Sequence, residues 1–424
     1  MKYSNSTYRL YHDEKRFSSA IYARVTMKEP VDIDILRRSV NTAIKRYPYF
    51  AVHVTADKDG GYVLLPNHKE VVVLPVSEKR PKLATKKVNG HLLFVECEGK
   101  DILFHISHAL CGGQAFQPWV MTAVYQYVVD KYQVLPEAPE IRKPGSPLLP
   151  GETSRCTVED LPEEKPIYYY KGMHPAIMAM DYLNGLYNPF KRDPNYMVFT
   201  FDQKTLVRYI KANDSSVASF FIVVIAKALD RVLPEKIRVI GGETAHNPRK
   251  DFGLPNSHYD FLSHAYFDYD RDMLKWDMEK LGTMTRGQMI LQTDPSVSGD
   301  ELRKVFGLYD QLDQIKGVKE KKAFLKDHNP STGKDARHGT FLCNYSGQMD
   351  WGQVADYIET YALIVDGHLV FEVTSMGDKI FLSFMRLFQE TKYVSALEAV
   401  LDELDIPYKV EGPFPKLLSR HVLP

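Results

Sequence analysis

The sequence has no excess of either charge, because 54 lysines and arginines balance 54 aspartates and glutamates among its 424 residues. This balance argues against a nucleic-acid binder, which usually carries a basic excess, and against electrostatic docking on an anionic membrane. No apolar stretch approaches the ~18 residues of a membrane span, and the first residues lack the apolar core of a signal peptide. We therefore expect neither a membrane span nor a nucleic-acid partner.

Cysteine is also scarce, and no two cysteines form a C-x-x-C pair; the four are Cys97, Cys111, Cys156 and Cys343. This argues against a zinc ribbon or a thioredoxin-type motif. Four free thiols suit a reducing compartment, which predicts a cytoplasmic location. No repeat of fixed period, G-x-G-x-x-G or G-x-x-x-x-G-K-[ST] occurs, so solenoids and the common nucleotide-binding folds receive no support.

What the chain does contain is a mixture of strand and helix patterns that occurs twice. In the first half, residues 19–26 read as a strand, and a helix follows between Pro30 and Pro48. In the second half, residues 196–201 read as a strand and Asp202 is placed to cap the next helix. Two similar halves predict an α/β or α+β fold with ligand chemistry at their junction.

A proline-rich stretch separates the two halves. Seven prolines fall between residues 135 and 166, which indicates an extended crossing segment. We therefore expect an N-terminal domain over residues 1–135, a crossover over 136–190 and a C-terminal domain over 191–424.

The stretch 102–113 carries the most suggestive chemistry. An alternating strand brings His105 and His108 to its end, and Gly112 and Gly113 precede a helix. Glycines leave room for a ligand, and imidazole suits removal of a proton from a hydroxyl or amine. The spacing alone leaves other interpretations open: buried structural histidines, a zinc site with Cys111 but no evident fourth ligand, or Cys111 as a nucleophile or an apolar filler.

The segment His108-Ala109-Leu110-Cys111-Gly112-Gly113 resembles the H-x-x-x-D-G motif of the chloramphenicol acetyltransferase-like superfamily. That group includes alcohol acetyltransferases, polyketide-associated acyltransferases and peptide-synthetase condensation domains. Other segments resemble the family in the same order, and these are Pro30-Val31-Asp32 with Leu36, Arg46-Tyr47-Pro48-Tyr49-Phe50, residues 215–233, Asn247-Pro248-Arg249-Lys250 with Phe261, and residues 341–347. The likeness covers most of the chain.

The resemblance implies two related subdomains, each a mixed sheet flanked by helices, with an active-site tunnel between them. An acyl thioester, either acyl-CoA or the phosphopantetheine of a carrier protein, would enter from one side. A small hydroxyl or amine acceptor would enter from the other. His108 would act as general base for direct attack on the thioester, without a covalent acyl-enzyme. No permanently bound cofactor or metal is implied, and the oligomeric state stays open.

One departure from the family pattern is important. Gly112 stands where the family has an aspartate that commonly pairs with an arginine of the second half. The matching arginine is Arg249, and an unpaired buried guanidinium would be unfavourable. We therefore expect Arg249 to find another acid, such as Asp251 or Asp260, or to reach water or substrate. The same departure supports an alternative function, in which a non-catalytic relative binds a thioester, a peptide or a partner.

Further residues are candidates for substrate contact, each with a structural alternative. His264 and Tyr266 would line the acceptor side of the tunnel, or lie on a surface strand. Asn344, with Tyr345 and Ser346, would donate hydrogen bonds near the thioester carbonyl, or only pair strands. Residues 168–170 and 173–180 would form an acyl pocket, or only pack the crossover. The charged run 316–326 is expected to be a solvated helix, with capture of a carrier protein or of coenzyme A phosphates as the alternative.

Overall fold

The computed structural model describes residues 3–12, 19–59, 61–163, 193–235, 237–328, 339–387 and 391–423. The strands in these ranges are β1 (Ala20–Met27), β2 (Val52–Ala56), β3 (Tyr62–Pro66), β4 (Val73–Pro75), β5 (Leu93–Glu98), β6 (Asp101–Ser107), β7 (Asn195–Asp202), β8 (Val239–His246), β9 (Ser263–Asp270), β10 (Phe341–Met349), β11 (Ile358–Ile364), β12 (Val370–Met376), β13 (Lys379–Arg386) and β14 (Lys409–Pro415). The α-helices are α1 (Ile33–Ile44), α2 (Gly113–Tyr132), α3 (Gln203–Ala212), α4 (Val217–Val232), α5 (Met278–Gln292), α6 (Pro295–Gln314), α7 (Val318–His328) and α8 (Lys392–Glu403).

The first body is a five-stranded sheet in the order β11-β1-β6-β5-β4, covered by α1 and α2. Its neighbouring strands are antiparallel except for the pair β4 and β5. Helix α1 begins after Asp32, whose carboxylate accepts hydrogen bonds from the first backbone N–H groups. Its buried residues Leu36, Val40 and Ala43 recur at helical spacing, so one face of α1 packs into the core.

The second body is a seven-stranded mixed sheet in the order β14-β7-β13-β12-β10-β8-β9. Helices α4 and α8 pack together beside it, and the apolar side chains of α4 fill a core of its own. From this sheet, Val198, Phe381 and Met385 belong to the core of the first body. The two bodies therefore share a packed boundary, and the predicted α/β class is confirmed.

The first body is not built from a single half of the chain. Strand β11 lies beyond residue 191 but pairs antiparallel with β1, so that Tyr22 lies opposite Ile364. At the other end, the N-terminal segment (residues 3–12) contains a 3-10 helix over Ser6–Tyr11. Its Tyr8 ring packs against Tyr309 of α6 at 4.4 Å between centroids. Both crossings bring remote parts of the sequence to the boundary between the bodies.

Among the helices described, none has the length and apolar character needed to cross a membrane. The aromatic and methionine-rich stretches 168–170 and 173–180 lie outside the described residues. The run 316–326 lies largely in α7, as expected for a helix, and Lys321 Nζ donates a hydrogen bond to the carbonyl oxygen of Leu312 at 2.7 Å.

Candidate active site

The motif loop (residues 108–112) connects β6 to α2 at the boundary between the two bodies. The His108 backbone N–H donates to the carbonyl of Ser19 at 2.8 Å, which extends the pairing of β6 with β1 by one residue. The Leu110 N–H then donates to the carbonyl of Ser107 and closes a turn. Helix α2 begins directly after Gly112, so the strand, the turn and the helix together determine where the histidine lies.

His108 is a largely neutral imidazole with one open side. Its side chain is 19% exposed although Nδ1 is buried, so the open part of the ring lies away from Nδ1. Nδ1 lies 3.8 Å from Oδ2 of Asp260. Burial and the nearby Arg9 cation lower the pKa of His108 to about 4, with Asp260 acting in the opposite direction. The ring is therefore unprotonated near pH 7 and can accept a proton.

Asp260 is bound by the N-terminal segment. Arg9 donates from Nε and Nη2 to Oδ2 at 3.0 and 2.7 Å, and the Asp260 backbone N–H donates to Oγ of Ser6 at 2.8 Å. Burial alone would raise the pKa of Asp260, but Arg9, His108 and Arg249 outweigh it and hold that pKa below its usual value. A charged carboxylate therefore lies beside the motif loop.

The absence of a side chain at position 112 has a spatial cause. A Cβ atom on Gly112 would lie 2.8 Å from Oδ1 of Asp260, closer than real contacts allow. The backbone of Gly112 has φ −79°, which any residue can adopt. A side chain at position 112 would therefore require the Asp260 carboxylate to move from its place beside the loop.

Among the described residues, Arg249 forms no ion pair with Asp251 or Asp260. Its guanidinium donates to the carbonyl oxygens of Ser257 and Tyr259 and to Oδ1 of Asn247, the last at 2.7 Å. Burial lowers the pKa of Arg249, with Asp260 opposing that effect from beyond hydrogen-bond distance. Of the partners expected for this guanidinium, the acids Asp251 and Asp260 are wrong, because backbone carbonyls of the adjacent turn and Asn247 accept its hydrogen bonds instead.

A second contact from the C-terminal half holds the motif loop. His258 donates from Nδ1 to the carbonyl oxygen of Leu110 at 3.1 Å. Its ring stacks on Tyr49 at 4.3 Å between centroids. Burial lowers the pKa of His258 to about 4, so the imidazole is neutral and its role is to fix the loop.

A cavity of about 650 Å³ opens beside the first turns of α2. Gln114 and Gln117 line it from α2, Ser346 and Gln348 from β10, and Trp351 from the following loop. Gln117 is 2% exposed, and neither its Oε1 nor its Nε2 has a hydrogen-bond partner within the described residues. Unpaired buried amides are rare in proteins, so Gln117 is a polar side chain of the cavity lining whose hydrogen bonds the described residues do not satisfy.

Comparison with known proteins places this geometry in context. No protein-family model matches the sequence, and no curated protein sequence matches it. The solved structure of F. graminearum TRI101 with coenzyme A and T-2 mycotoxin matches with a TM-score of 0.59 at 11% identity, covering 97% of this chain and 99% of that chain. TRI3 trichothecene 15-O-acetyltransferase from Fusarium sporotrichioides matches at 0.57 and 13%, covering 94% and 93%. Polyketide synthase associated protein 5 from Mycobacterium tuberculosis matches at 0.56 and 10%, covering 94% and 96%.

The chain has the chloramphenicol acetyltransferase-like fold. The resemblance drawn from the motifs is thereby confirmed at the level of the fold. An epimerization domain of tyrocidine synthetase B also matches, with a TM-score of 0.51 at 10% identity, so the fold likeness extends to the condensation-domain branch.

Within this chloramphenicol acetyltransferase-like fold, His105 lies inside the first body. Its side chain is fully buried, its Nε2 is 3.0 Å from Oε2 of Glu96, and its ring stacks on Phe94. Cys111 is fully buried as well, and burial raises the pKa of its thiol well above the usual value. A buried thiol of this kind stays protonated and unreactive. In the described ranges, no group of three or more metal-ligating side chains could hold an ion.

Some polar side chains of β10 bond within the sheet, and others line the cavity. Both polar atoms of the Asn344 side chain form hydrogen bonds within the sheet. Its Oδ1 accepts from Ala245 N–H at 2.9 Å, and its Nδ2 donates to Glu372 at 2.7 Å. Burial raises the pKa of Glu372 to about 7. The Tyr345 hydroxyl lies 3.3 Å from the Ser375 hydroxyl. Of the three predicted β10 residues, only Ser346 lines the cavity.

His264 and Tyr266 lie on β9, at the edge of the second sheet, and do not line the cavity. Nδ1 of His264 is 2.7 Å from Glu301 of α6, and although burial opposes protonation, Glu301 raises the pKa of His264 to about 9. The Tyr266 backbone exchanges two hydrogen bonds with the Gln292 amide.

Sequence reasoning did not find Arg9, His258 or Gln117, since no local pattern marks them.

Proposed function

We propose that this protein is an acyltransferase that moves an acyl group from a thioester to a hydroxyl or amine acceptor. The donor is acyl-CoA or an acyl group on the phosphopantetheine of a carrier protein. The observation that carries the proposal is His108, a neutral and partly exposed imidazole on the strand-to-helix loop of a chloramphenicol acetyltransferase-like fold.

The ring geometry assigns the two nitrogens different tasks. Nδ1 is buried and faces the Asp260 carboxylate, so it keeps a proton, and the open side presents Nε2 as the base. Nε2 takes the proton of the acceptor O–H or N–H while the acceptor atom attacks the thioester carbonyl. The tetrahedral intermediate then breaks its C–S bond, and the imidazolium proton passes to the leaving sulfur. No covalent acyl-enzyme forms.

The cavity beside α2 is the proposed site of the thioester arm. Its volume of about 650 Å³ falls within the ~300–1,000 Å³ that small-molecule sites occupy. A pantetheine arm carries amide groups, and the free amide of Gln117 can donate to one and accept from it. Ser346 adds a hydroxyl on the opposite wall. The cavity lining begins at Gln114, in the first turn of α2 after the motif loop, and no residue of that loop belongs to the lining.

The test is a thiol-release assay over a panel of acyl-CoA and acyl-pantetheine donors with alcohols and amines. We expect turnover with at least one pair, and we expect His108→Ala to reduce it by ~100- to 10,000-fold with folding intact. His68→Ala, which removes an exposed histidine, is the matched control and should keep the wild-type rate. No turnover with any pair, or an unchanged rate in His108→Ala, would contradict the proposal.

The non-catalytic alternative was motivated by Gly112. The structure supplies a carboxylate at that position from Asp260, so the missing motif aspartate no longer argues for loss of activity. We therefore retain the acyltransferase as the proposed function.

A further inference from the structure

The carboxylate that lies against the motif loop comes from the other half of the chain. Oδ1 of Asp260 is 2.8 Å from the place a Cβ atom would take on Gly112. Its Oδ2 is 3.8 Å from Nδ1 of His108. One carboxylate thus meets both ends of the motif loop, from across the boundary between the two bodies.

The N-terminal segment holds this carboxylate in place. Both hydrogen bonds from Arg9 reach Oδ2, and the Ser6 hydroxyl oxygen accepts from the Asp260 backbone. The segment is itself anchored on the second body by the contact of Tyr8 with Tyr309. Three stretches that are remote along the chain therefore converge on the motif loop.

We propose that Asp260, held by Arg9, is the positioning residue of His108 and replaces the carboxylate that position 112 lacks. This inference rests on the proposed function and deepens it. A carboxylate facing Nδ1 favours the tautomer with the proton on Nδ1, which leaves Nε2 free to accept one. It also stabilises the imidazolium that forms as the acceptor is deprotonated.

The charged and titratable groups around the pair come from several elements. Arg9 approaches both His108 and Asp260 from the N-terminal segment, Arg249 approaches Asp260 from the turn after β8, and Tyr309 approaches it from α6. The buried thiol of Cys111 lies on the loop side. Removal of Asp260 would leave Arg9 as an uncompensated cation near the imidazole, so protonation of His108 would become less favourable.

The test removes the carboxylate at position 260 and introduces one at position 112. We expect Asp260→Ala to lower kcat about tenfold to 100-fold, the range typical of outer partners that orient a reactive group, with little change in KM. We expect Gly112→Asp alone to lower both the melting temperature and the rate, because its Cβ atom meets Oδ1 of Asp260. The double variant G112D/D260A frees that space and places a carboxylate in it, so it should regain at least tenfold over D260A.

The matched control is G112A/D260A, which fills the same space without a carboxylate and should stay at the rate of D260A. If G112D/D260A is no faster than this control, or if D260A keeps the wild-type rate, the positioning role is overturned. The conservative variant D260E keeps the charge and should retain more activity than D260A. The melting temperature of each variant separates a loss of folding from a loss of positioning.

A readout independent of turnover separates this inference from the proposed function. In ¹⁵N-histidine NMR at pH 7, with the signal assigned by its loss in His108→Gln, the wild-type ring should carry its proton on Nδ1. In D260A the ring should shift toward the other tautomer. An unchanged tautomer would overturn the positioning role even in an active enzyme, whereas a shift in a protein without turnover would overturn only the acyltransferase.

Discussion

Two histidines three residues apart meet the same kinds of group in very different surroundings. His105 lies 3.0 Å from Glu96, which Arg80 binds in turn, and the imidazole is sealed inside the first body. His108 lies 3.8 Å from Asp260, which Arg9 binds, and its imidazole is 19% exposed. Each trio contains an arginine, a carboxylate and an imidazole.

Exposure and the origin of the partner distinguish the buried His105 from His108, the proposed base. Glu96 lies on β5, the direct neighbour of β6, so the trio of His105 belongs to one sheet. Asp260 and Arg9 come from segments that are far apart along the chain. The trio of His108 therefore joins three segments that are remote along the chain.

The largest effects are expected from replacing the two histidines, and we expect His105→Ala to reduce stability and His108→Ala to reduce turnover. His105→Ala should reduce the free energy of unfolding by roughly 3 kcal/mol, because it leaves a cavity beside Phe94 and removes the imidazole that lies against the buried Glu96 carboxylate. The remaining folded protein should keep near-normal turnover. His108→Ala should show the reverse, with lost turnover and a nearly unchanged unfolding curve. Urea unfolding and thiol release measured on both variants check this, and equal effects in the two assays would break the comparison.

The next effect concerns the pH dependence of turnover and the Arg9 cation near His108. Arg9 disfavours the imidazolium, so Arg9→Gln should raise the pKa of His108 above the value of about 4 that burial and Arg9 now produce. The base is then protonated over a wider acidic range. The acid limb of the kcat/KM profile should therefore move to higher pH, with the plateau rate less affected. A limb that stays in place, or moves to lower pH, would contradict the assigned contact.

These sites could be predicted from the sequence only in part. Local patterns correctly indicated β1, the Asp202 cap of α3 and the strand that precedes the histidine motif, because periodicity and capping are encoded within a few residues. The family resemblance then supplied the fold. The pairing of β11 with β1 and the approach of Arg9 to Asp260 were not predictable, since they join residues far apart along the chain.

Arg249 also shows that hydrogen-bond partners are hard to predict from a sequence. Its burial was expected, but its partners are backbone carbonyls of the turn that follows it, and a sequence does not reveal where carbonyl groups point. The acid considered as its partner, Asp260, is committed to Arg9 instead. Sequence reasoning therefore found Arg249 and Asp260 but missed Arg9, the cation that binds Asp260.

A smaller effect is expected at the cavity wall. Gln117→Leu removes a buried amide without hydrogen-bond partners in the described structure, so the free energy of unfolding should stay unchanged or rise by about 1 kcal/mol. The same change removes the proposed contact with the thioester arm and should raise KM for the donor by about tenfold, with kcat retained. Gln126→Leu, on the same helix but outside the cavity lining, is the control. A KM unchanged by Gln117→Leu would remove the residue from donor binding.

The smallest effect is expected at the buried thiol of the motif loop. Cys111→Ala should leave turnover within about twofold, because a thiol whose pKa is raised by burial supplies no nucleophile. Thiol release and mass spectrometry of the enzyme mixed with donor check this. A stable acyl adduct on the wild-type protein that disappears in Cys111→Ala would refute the role of His108 as base in a direct transfer.

The most direct test of the account is a crystal structure with an unreactive thioether analogue of an acyl-pantetheine. We predict that its pantetheine arm lies along the first turns of α2 with an amide bound to Gln117, and that its acyl end reaches the open face of His108. An analogue bound away from this cavity, or an acyl end that does not approach the His108 ring, would contradict the account.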